Sequence, residues 1–435
     1  MNLFKGFQAF TVSETQKNEL SFDGDLKMKH QTSQLSEVKD HFFEMISREN
    51  DVVLSDHNID PLWDLKQKFV KDSHNELLKI IHKGHYNMQG KDLVYIYIME
   101  FGGTRQTGII VDLDHQCYEN EVIHPHEETL ANKIEIIARM TKESGVFNGF
   151  PIIFSSFEIA LTRLLDDFIK LSQPFLSVKK DSISHIVFKL DLAQSAQVLE
   201  LTRNIKQAFI ADGHHRFKGF AKFVKDTTPE EQSHLVPGFN RFPVYLVADN
   251  HLQIKKFHRV VLGLDDFNVK SILTKLKKRF FVKRLAVDHL DPSNPEQLPQ
   301  LDETVTPRQE GEFTFFFHPI QKWYTVLQKN KVQGNAAESL DIKYLSDHFF
   351  GECLGITDIS KTDNIRYYPS IMGNSSFIGQ VPDAQITIFC KELSIDQVKQ
   401  VALEGLKMPP KATLFYPKPL LGFLFKSNLK FDEES

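Results

Sequence analysis

The chain has 435 residues, 41% of them in the AVILMFWYC set and 25% charged, the balance of a globular protein with room for two or three domains. Its formal net charge is −5, opposite in sign to the basic balance of a duplex-DNA binder. No apolar run approaches the roughly 18–20 residues needed to span a bilayer, the three cysteines (Cys117, Cys353, Cys390) form no CxxC pair or zinc spacing, and MNLFKGFQAF lacks a leader pattern. A soluble cytoplasmic protein without a membrane or nucleic-acid partner is therefore expected.

In chain order, residues from about 11 to 60 are polar and weakly periodic, with a helix expected over SQLSEVKDHFFEMISREN. A second helix is expected over PLWDLKQKFVKDSHNELLKIIHKG, ending at Gly84. DLVYIYIMEF and RQTGIIVDLD read as strands joined through Gly102-Gly103. EETLANKIEIIARMTKESG puts Leu130, Ile134, Ile137 and Ala138 on one helix face, with Gly145 as C-cap. A strand PIIFSS follows, then a helix FEIALTRLLDDFIKLSQP with Ser156 as N-cap. Next come a strand HIVFKLDL, a helix SAQVLELTRNIK, a strand QAFIA and a helix HRFKGFAKFVKD, then two strand-like runs, FPVYLVAD and LQIKKFHRVV.

Strands mix with helices without strict βαβ alternation, so the expected class is α/β in the broad sense, an α+β arrangement on a mixed sheet. A composition shift at LGLDDFNVKSILTKLKKRF divides the chain into residues 1–264, an N-terminal region and core, and residues 265–435, a C-terminal α/β region. The second region holds a hairpin expected from EFTFFFHP and KWYTVLQ. It also holds a basic, proline-punctuated loop, MPPKATLFYPKPLLGFLF, that leads into a strand, and a frayed DEES tail.

The stretch FIADGHHRF, Phe209 to Phe217, carries the strongest chemical signal. A strand runs into Asp212-Gly213 and then into a helix, so main-chain N–H groups collect at a helix N-terminus that Gly213 lets a ligand approach. His214, His215 and Arg216 fill the first turn, where cations oppose the helix macrodipole. A bound anion relieves that conflict. The bland alternative is an Asp212 cap followed by solvated histidines.

VIHPHEETLANK gathers His124, His126, Glu127, Thr129 and Lys133 at a helix entry, with Thr129 and Lys133 one turn apart. Glu127 is placed to act as a general base; a Glu-rich helix start is the competing reading. His-x-His as a metal pair lacks a third ligand. In TRQTG, Arg105 and Gln106 offer contacts to an acidic ligand, or form an exposed edge. In MPPKATLFYPK, prolines hold extended a loop bearing Lys411, Thr413 and Lys418. Neither GxxxxGK[ST], GxGxxG nor GxSxG occurs, so a phosphate site here has to be built from the turn and the cations.

Taken together, RQTGIIVDLD, YENEVIHPHEET with its following lysine, FIADGHHRF, IKKFHRVV and MPPKATLFYPKPLLGFLF resemble, in order and spacing, a widespread family known as a domain of unknown function with an ADGHHR signature. The resemblance runs from about residue 84 to 426, and NLFKGFQAF resembles the family's opening. The ADGHHR turn is similar to the Asp-Gly-His-Thr-Arg turn of free-serine kinases in the ParB/sulfiredoxin superfamily, where it binds a phosphoryl group. Members resembling this family are assigned as L-serine kinases that use inorganic pyrophosphate. The resemblance implies a ParB/sulfiredoxin-like core, free L-serine as acceptor and O-phosphoserine as product; Mg²⁺ bridging the donor oxygens is the expected helper of such a transfer. The resemblance implies Asp212, Glu127 and His214 as catalytic groups. Gly213, His215, Arg216, Lys411, Thr413 and Lys418 are implied to hold the phosphates, and Arg105, Gln106, His126, Thr129 and Lys133 the substrate. Ala412 stands where the family has serine, and the Pro-Tyr-Asp segment of many members is missing. The rival expectations are an ADP- or ATP-dependent serine kinase, a ParB-like nucleic-acid clamp, and a metal-dependent hydrolase built on His124, His126 and the histidines of the turn.

Overall fold

The computed structural model of the chain describes residues 3–21, 63–147, 149–287, 290, 294, 296–330, 334–359, 361–372, 378, 381 and 383–430. The helix expected over SQLSEVKDHFFEMISREN and the DEES tail lie outside them. The chain divides into two compact units, Met1–Leu252 with Pro417–Ser435, and Gln253–Tyr416. The division read from the sequence, at 264/265, falls inside the second unit. Composition gives no sign that the chain returns to the first unit after Tyr416.

In the first unit the strands are β1 (Phe4–Lys5), β2 (Phe10–Val12), β3 (Tyr86–Met88), β4 (Tyr95–Phe101), β5 (Thr104–Asp114), β6 (Ile123–His124), β7 (Ile152–Ser155), β8 (Leu176–Lys180), β9 (Ile183–Lys189), β10 (Ala208–Asp212) and β11 (Arg241–Ala248). Its longer helices are α1 (Trp63–His82), α2 (Ala131–Ser144), α3 (Ile159–Leu171), α4 (Leu192–Thr202) and α5 (His214–Asp226). Nine strands make one sheet in the order β6-β10-β7-β11-β5-β4-β9-β8, with β1 added against β5. β10 runs parallel to β6 and β11 parallel to β7, while the other pairs are antiparallel, so the sheet is mixed. The fold is a mixed α/β one.

The period of two decides what each face meets. Ile109, Val111 and Leu113 of β5 join Ile96, Ile98, Val244 and Leu246 in a core completed by Leu161, Leu165, Val198, Phe217, Phe220 and Phe223 from α3, α4 and α5. The opposite face carries Tyr97 and Tyr245, edge to face at 5.6 Å, with Phe423 6.1 Å from Tyr97. Here the C-terminal segment crosses the sheet. The Leu420 N–H donates to the Tyr97 hydroxyl (3.0 Å) and the Tyr86 hydroxyl to the Gly422 carbonyl (2.9 Å). A short strand, Leu424–Phe425, pairs with β2. Lys426, 7% exposed, reaches the Asp112 carboxylate at 2.5 Å. Burial pushes the Asp112 pKa up, opposed by Lys426 and Arg241.

Two local expectations differ. Ser156 does not cap α3: its hydroxyl donates to Asp249 (2.6 Å), and the N-cap is Glu158, with no side-chain cap bond. β8, LSVKK, went unread because its two lysines and short length mask the alternation of a strand that shows one face to water. The expected C-cap of α2, Gly145, closes the helix with its N–H on the Thr141 carbonyl.

The second unit is built on a six-stranded sheet, antiparallel throughout, of β12 (Phe257–Leu262), β13 (Phe280–Arg284), β14 (Glu312–Phe317), β15 (Lys322–Gln328), β16 (Ile365–Pro369) and β17 (Ala384–Phe389). The expected hairpin is β14 with β15. Phe316, Trp323, Phe389 and Val260 anchor one core of this unit. No helix among the described residues is long and apolar enough to cross a membrane.

Candidate active site

β10 delivers Asp212 to the sheet's C-terminal edge, and Gly213 turns the chain into α5 in the left-handed region, φ 93°. A Cβ there would meet the Arg216 guanidinium and the Pro151 backbone at 3.1 Å, so both φ and space demand glycine. Arg216, one turn on, pairs with one Asp212 oxygen. The Lys418 ammonium takes the other at 2.8 Å. All three side chains are about one-fifth to one-quarter exposed, at 20%, 24% and 20% for Arg216, Asp212 and Lys418. Burial alone would raise the Asp212 pKa, but Lys418 and Arg216 hold it well below the usual carboxylate range.

α2 and α5 lie side by side and run in the same direction. The Leu130 N–H, at the N-cap of α2, donates to His215 Nε2 in the first turn of α5 (3.0 Å). Further along, Lys222 of α5 meets Glu135 of α2 at 3.2 Å. Gly219 allows the approach: a Cβ there would sit 2.5 Å from Ile137 Cγ2 and 3.3 Å from the Ile134 carbonyl. Both helices therefore open at one place. Neither has an acidic residue in its first turn or a side-chain cap bond. Two macrodipoles and the cations Arg216, Lys133 and Lys418 converge there, an arrangement that favours an anion.

The two histidines accept main-chain amides. His215 accepts the Leu130 N–H, and burial with the Lys133 charge holds its pKa down at about 4. His214, 2% exposed, accepts the His126 N–H at Nε2 (3.3 Å), which leaves its proton on Nδ1, 3.3 Å from a Glu127 oxygen. The sequence offers both imidazoles to hold phosphate; in the structure each spends a ring nitrogen accepting a main-chain amide. They tie the segment that enters α2 to the first turn of α5. Burial would raise the Glu127 pKa, but the His214 imidazole 3.3 Å away brings it down. Its side chain remains 40% exposed.

The other predicted residues spread out. His126 is fully buried and meets the His214 ring edge to face at 4.6 Å. His124 packs on Phe209 instead, ring centroids 5.5 Å apart. Thr129 precedes α2, which starts at Ala131, so the one-turn spacing expected with Lys133 does not arise. Asp212, Ile152, Tyr245 and Ile110 form one row across the sheet. Arg105 lies five residues from that row along β5, roughly 17 Å away. It lines a shallow recess of about 370 Å³ with Glu100, the Gly102-Gly103 turn and Ser182. Gln106 is buried beside Tyr245, whose hydroxyl donates to its carbonyl at 3.4 Å. The register thus separates Arg105 and Gln106 from the turn. Lys411 and Thr413 belong to the second unit. There Lys411 takes φ 54°, its ammonium stands 5.4 Å over the Phe257 ring, and its carbonyl accepts from Arg259 (3.3 Å).

The family model described as "Protein of unknown function (DUF1015)" matches residues 31–343. No curated protein matches the chain. Similar solved structures include a mutant free serine kinase in complex with ADP, at 12% identity, covering 71% of this chain and 87% of that one with a TM-score of 0.32. A conserved hypothetical protein from Pyrococcus furiosus matches at 11% identity, 74% and 95% coverage and a TM-score of 0.33. C-terminally truncated SbnI from Staphylococcus aureus matches at 12% identity, 72% and 85% coverage and a TM-score of 0.34. Likeness at that level carries no argument about chemistry.

Proposed function

The chain belongs to the DUF1015 family, and we propose that it is a small-molecule phosphotransferase that moves a phosphoryl group from inorganic pyrophosphate to free L-serine, giving O-phospho-L-serine. The observation that carries the reading is the meeting of two uncapped helix N-termini, α2 and α5, around the Arg216–Asp212–Lys418 cluster. Main-chain N–H groups and cations suit a compact, highly charged donor, since they offer nothing that selects a base or a ribose.

Phosphoryl transfer asks for in-line positioning and charge neutralisation more than for covalent help. Arg216 and Lys418 hold the donor, with Asp212 as the hinge that orients both cations. Glu127 accepts the serine hydroxyl proton. It is preferred to Asp212 because both Asp212 oxygens are already paired, whereas His214 engages one oxygen of Glu127. A carboxylate held below its ordinary range is a weak base, which a loose transition state tolerates because the acceptor's proton leaves late. The serine oxygen forms the new P–O bond, the bridging P–O bond breaks, and phosphate departs against Arg216 and Lys418. Mg²⁺ keeps several waters and binds chiefly through phosphate oxygens, which suits a site where both Asp212 oxygens are paired and Glu127 serves as the base. When bound, the ion would neutralise the donor's oxygens.

Steady-state kinetics of Lys418→Ala test this assignment. The expected result is a rise in donor KM that exceeds any rise in serine KM. Equal effects on both, or none, would remove Lys418 from the donor site.

A further inference from the structure

The sequence offers His124 and His126 as a metal pair without a third ligand. The fold separates them and builds a different set. Among the described residues, His126, Glu127 and His214 bring one ligand atom each to within 4.8 Å of one another. Two of the three are buried, His126 at 0% and His214 at 3%. His214 opens α5, and His126 lies against its ring, centroids 4.6 Å apart.

We propose that His126, Glu127 and His214 form a binding site for a borderline divalent transition metal of the zinc type. Two imidazole nitrogens and one carboxylate suit Zn²⁺, whereas Mg²⁺ prefers all-oxygen ligation. The set therefore differs in chemistry from any Mg²⁺ that accompanies a phosphoryl donor, and a metal held there occupies Glu127, so metal binding and proton acceptance by Glu127 exclude each other. Three protein ligands leave an open position, as in zinc sites that take an exchangeable oxygen. The two helix N-termini beside it would favour an anionic oxygen there.

One contact opposes binding. His214 Nε2 accepts the His126 N–H, and Nδ1 holds the proton where a metal would sit. Ligation through Nδ1 moves the imidazole proton to Nε2, where it faces the His126 N–H, so the hydrogen bond gives way to two opposed donors. The bond is long at 3.3 Å, but its replacement by two opposed buried donors lowers affinity by about 10²-fold or more. Two imidazoles and a carboxylate acting together exceed that loss by orders of magnitude.

Chelator-stripped full-length protein, titrated with Zn²⁺ against a chromophoric chelator in millimolar Mg²⁺, tests the site. One equivalent is expected to bind at micromolar concentration or tighter and to resist Mg²⁺. Glu127→Gln, at the part-exposed position, is expected to weaken it at least about tenfold. His126→Gln and His214→Gln should do the same, with metal-free melting curves checking that each variant folds. X-ray absorption of the wild-type complex should show imidazole and oxygen ligands without sulfur, which excludes Cys117, Cys353 and Cys390. The proposal is overturned by the lack of a saturable first equivalent, by sulfur ligation, or by unchanged affinity in Glu127→Gln.

Discussion

Arg216→Ala should lower turnover by on the order of 10²-fold or more while leaving the melting temperature near wild type, because one electrostatic stabiliser of the transferring group is lost. Near wild-type turnover in this variant would take the α5 turn out of the reaction. Glu127→Gln should depress kcat more than the serine KM, and Asp212→Asn should raise the donor KM through its effect on Arg216 and Lys418. His215 makes a separate prediction about pH. Its folded pKa lies at about 4 against an ordinary 6.5, so between those values the unfolded chain binds a proton that the folded chain refuses. The contribution of His215 to stability is complete above pH 6.5 and is lost as pH falls towards 4. Urea midpoints at pH 7 and pH 5 should differ less in His215→Gln than in wild type, and NMR should find the His215 ring neutral at pH 5.5. The Asp212–Arg216 pair was open to reading, since the two stand four residues apart at a helix start. The neutral state of His215 was hidden, because it depends on an amide at Leu130 that only tertiary structure brings close.

Helices α2 and α5 owe their common opening to Gly219. Gly→Ala inside a helix ordinarily gains about 1 kcal/mol, but a Cβ here falls 2.5 Å from Ile137 Cγ2 on a stiff β-branched side chain. Overpacking of that kind costs about 1–3 kcal/mol, so Gly219→Ala should destabilise, as read from the urea midpoint. The C-terminal segment is the other decisive element. It carries Lys418 to Asp212, a partner 206 residues away in the chain. It is pinned by the Lys426–Asp112 pair, 7% and 6% exposed. Lys426→Met leaves Asp112 buried without its counter-charge and should cost about 3–5 kcal/mol, whereas Lys426→Met combined with Asp112→Leu should recover much of it. Helices and central strands were legible because hydrophobic period and glycine punctuation agree, as in β4, β5 and α2. Lys426 was passed over inside LLGFLFKSNLKF, although a lysine in so apolar a run is itself a signal of a buried partner.

For the whole molecule, the mixed α/β class followed from the irregular alternation of strands and helices, and the ADGHHR turn landed between the end of a strand and the start of a helix as expected. The pairing of distant segments was not legible: the register that removes Arg105 from the turn, and the return of Pro417–Ser435 to the first unit, are set by long-range strand contacts without a local signature. The central claim is that the paired helix N-termini serve transfer of a phosphoryl group from a compact donor to serine. Phosphorus NMR tests it most directly, with purified protein, serine and Mg²⁺ at equal concentrations in three tubes that contain pyrophosphate, ADP or ATP. The account predicts phosphoserine and phosphate accumulating fastest, and in equal amounts, from pyrophosphate. A clear preference for ADP or ATP would contradict the donor assignment, and no phosphoserine from any of the three would contradict the reaction itself.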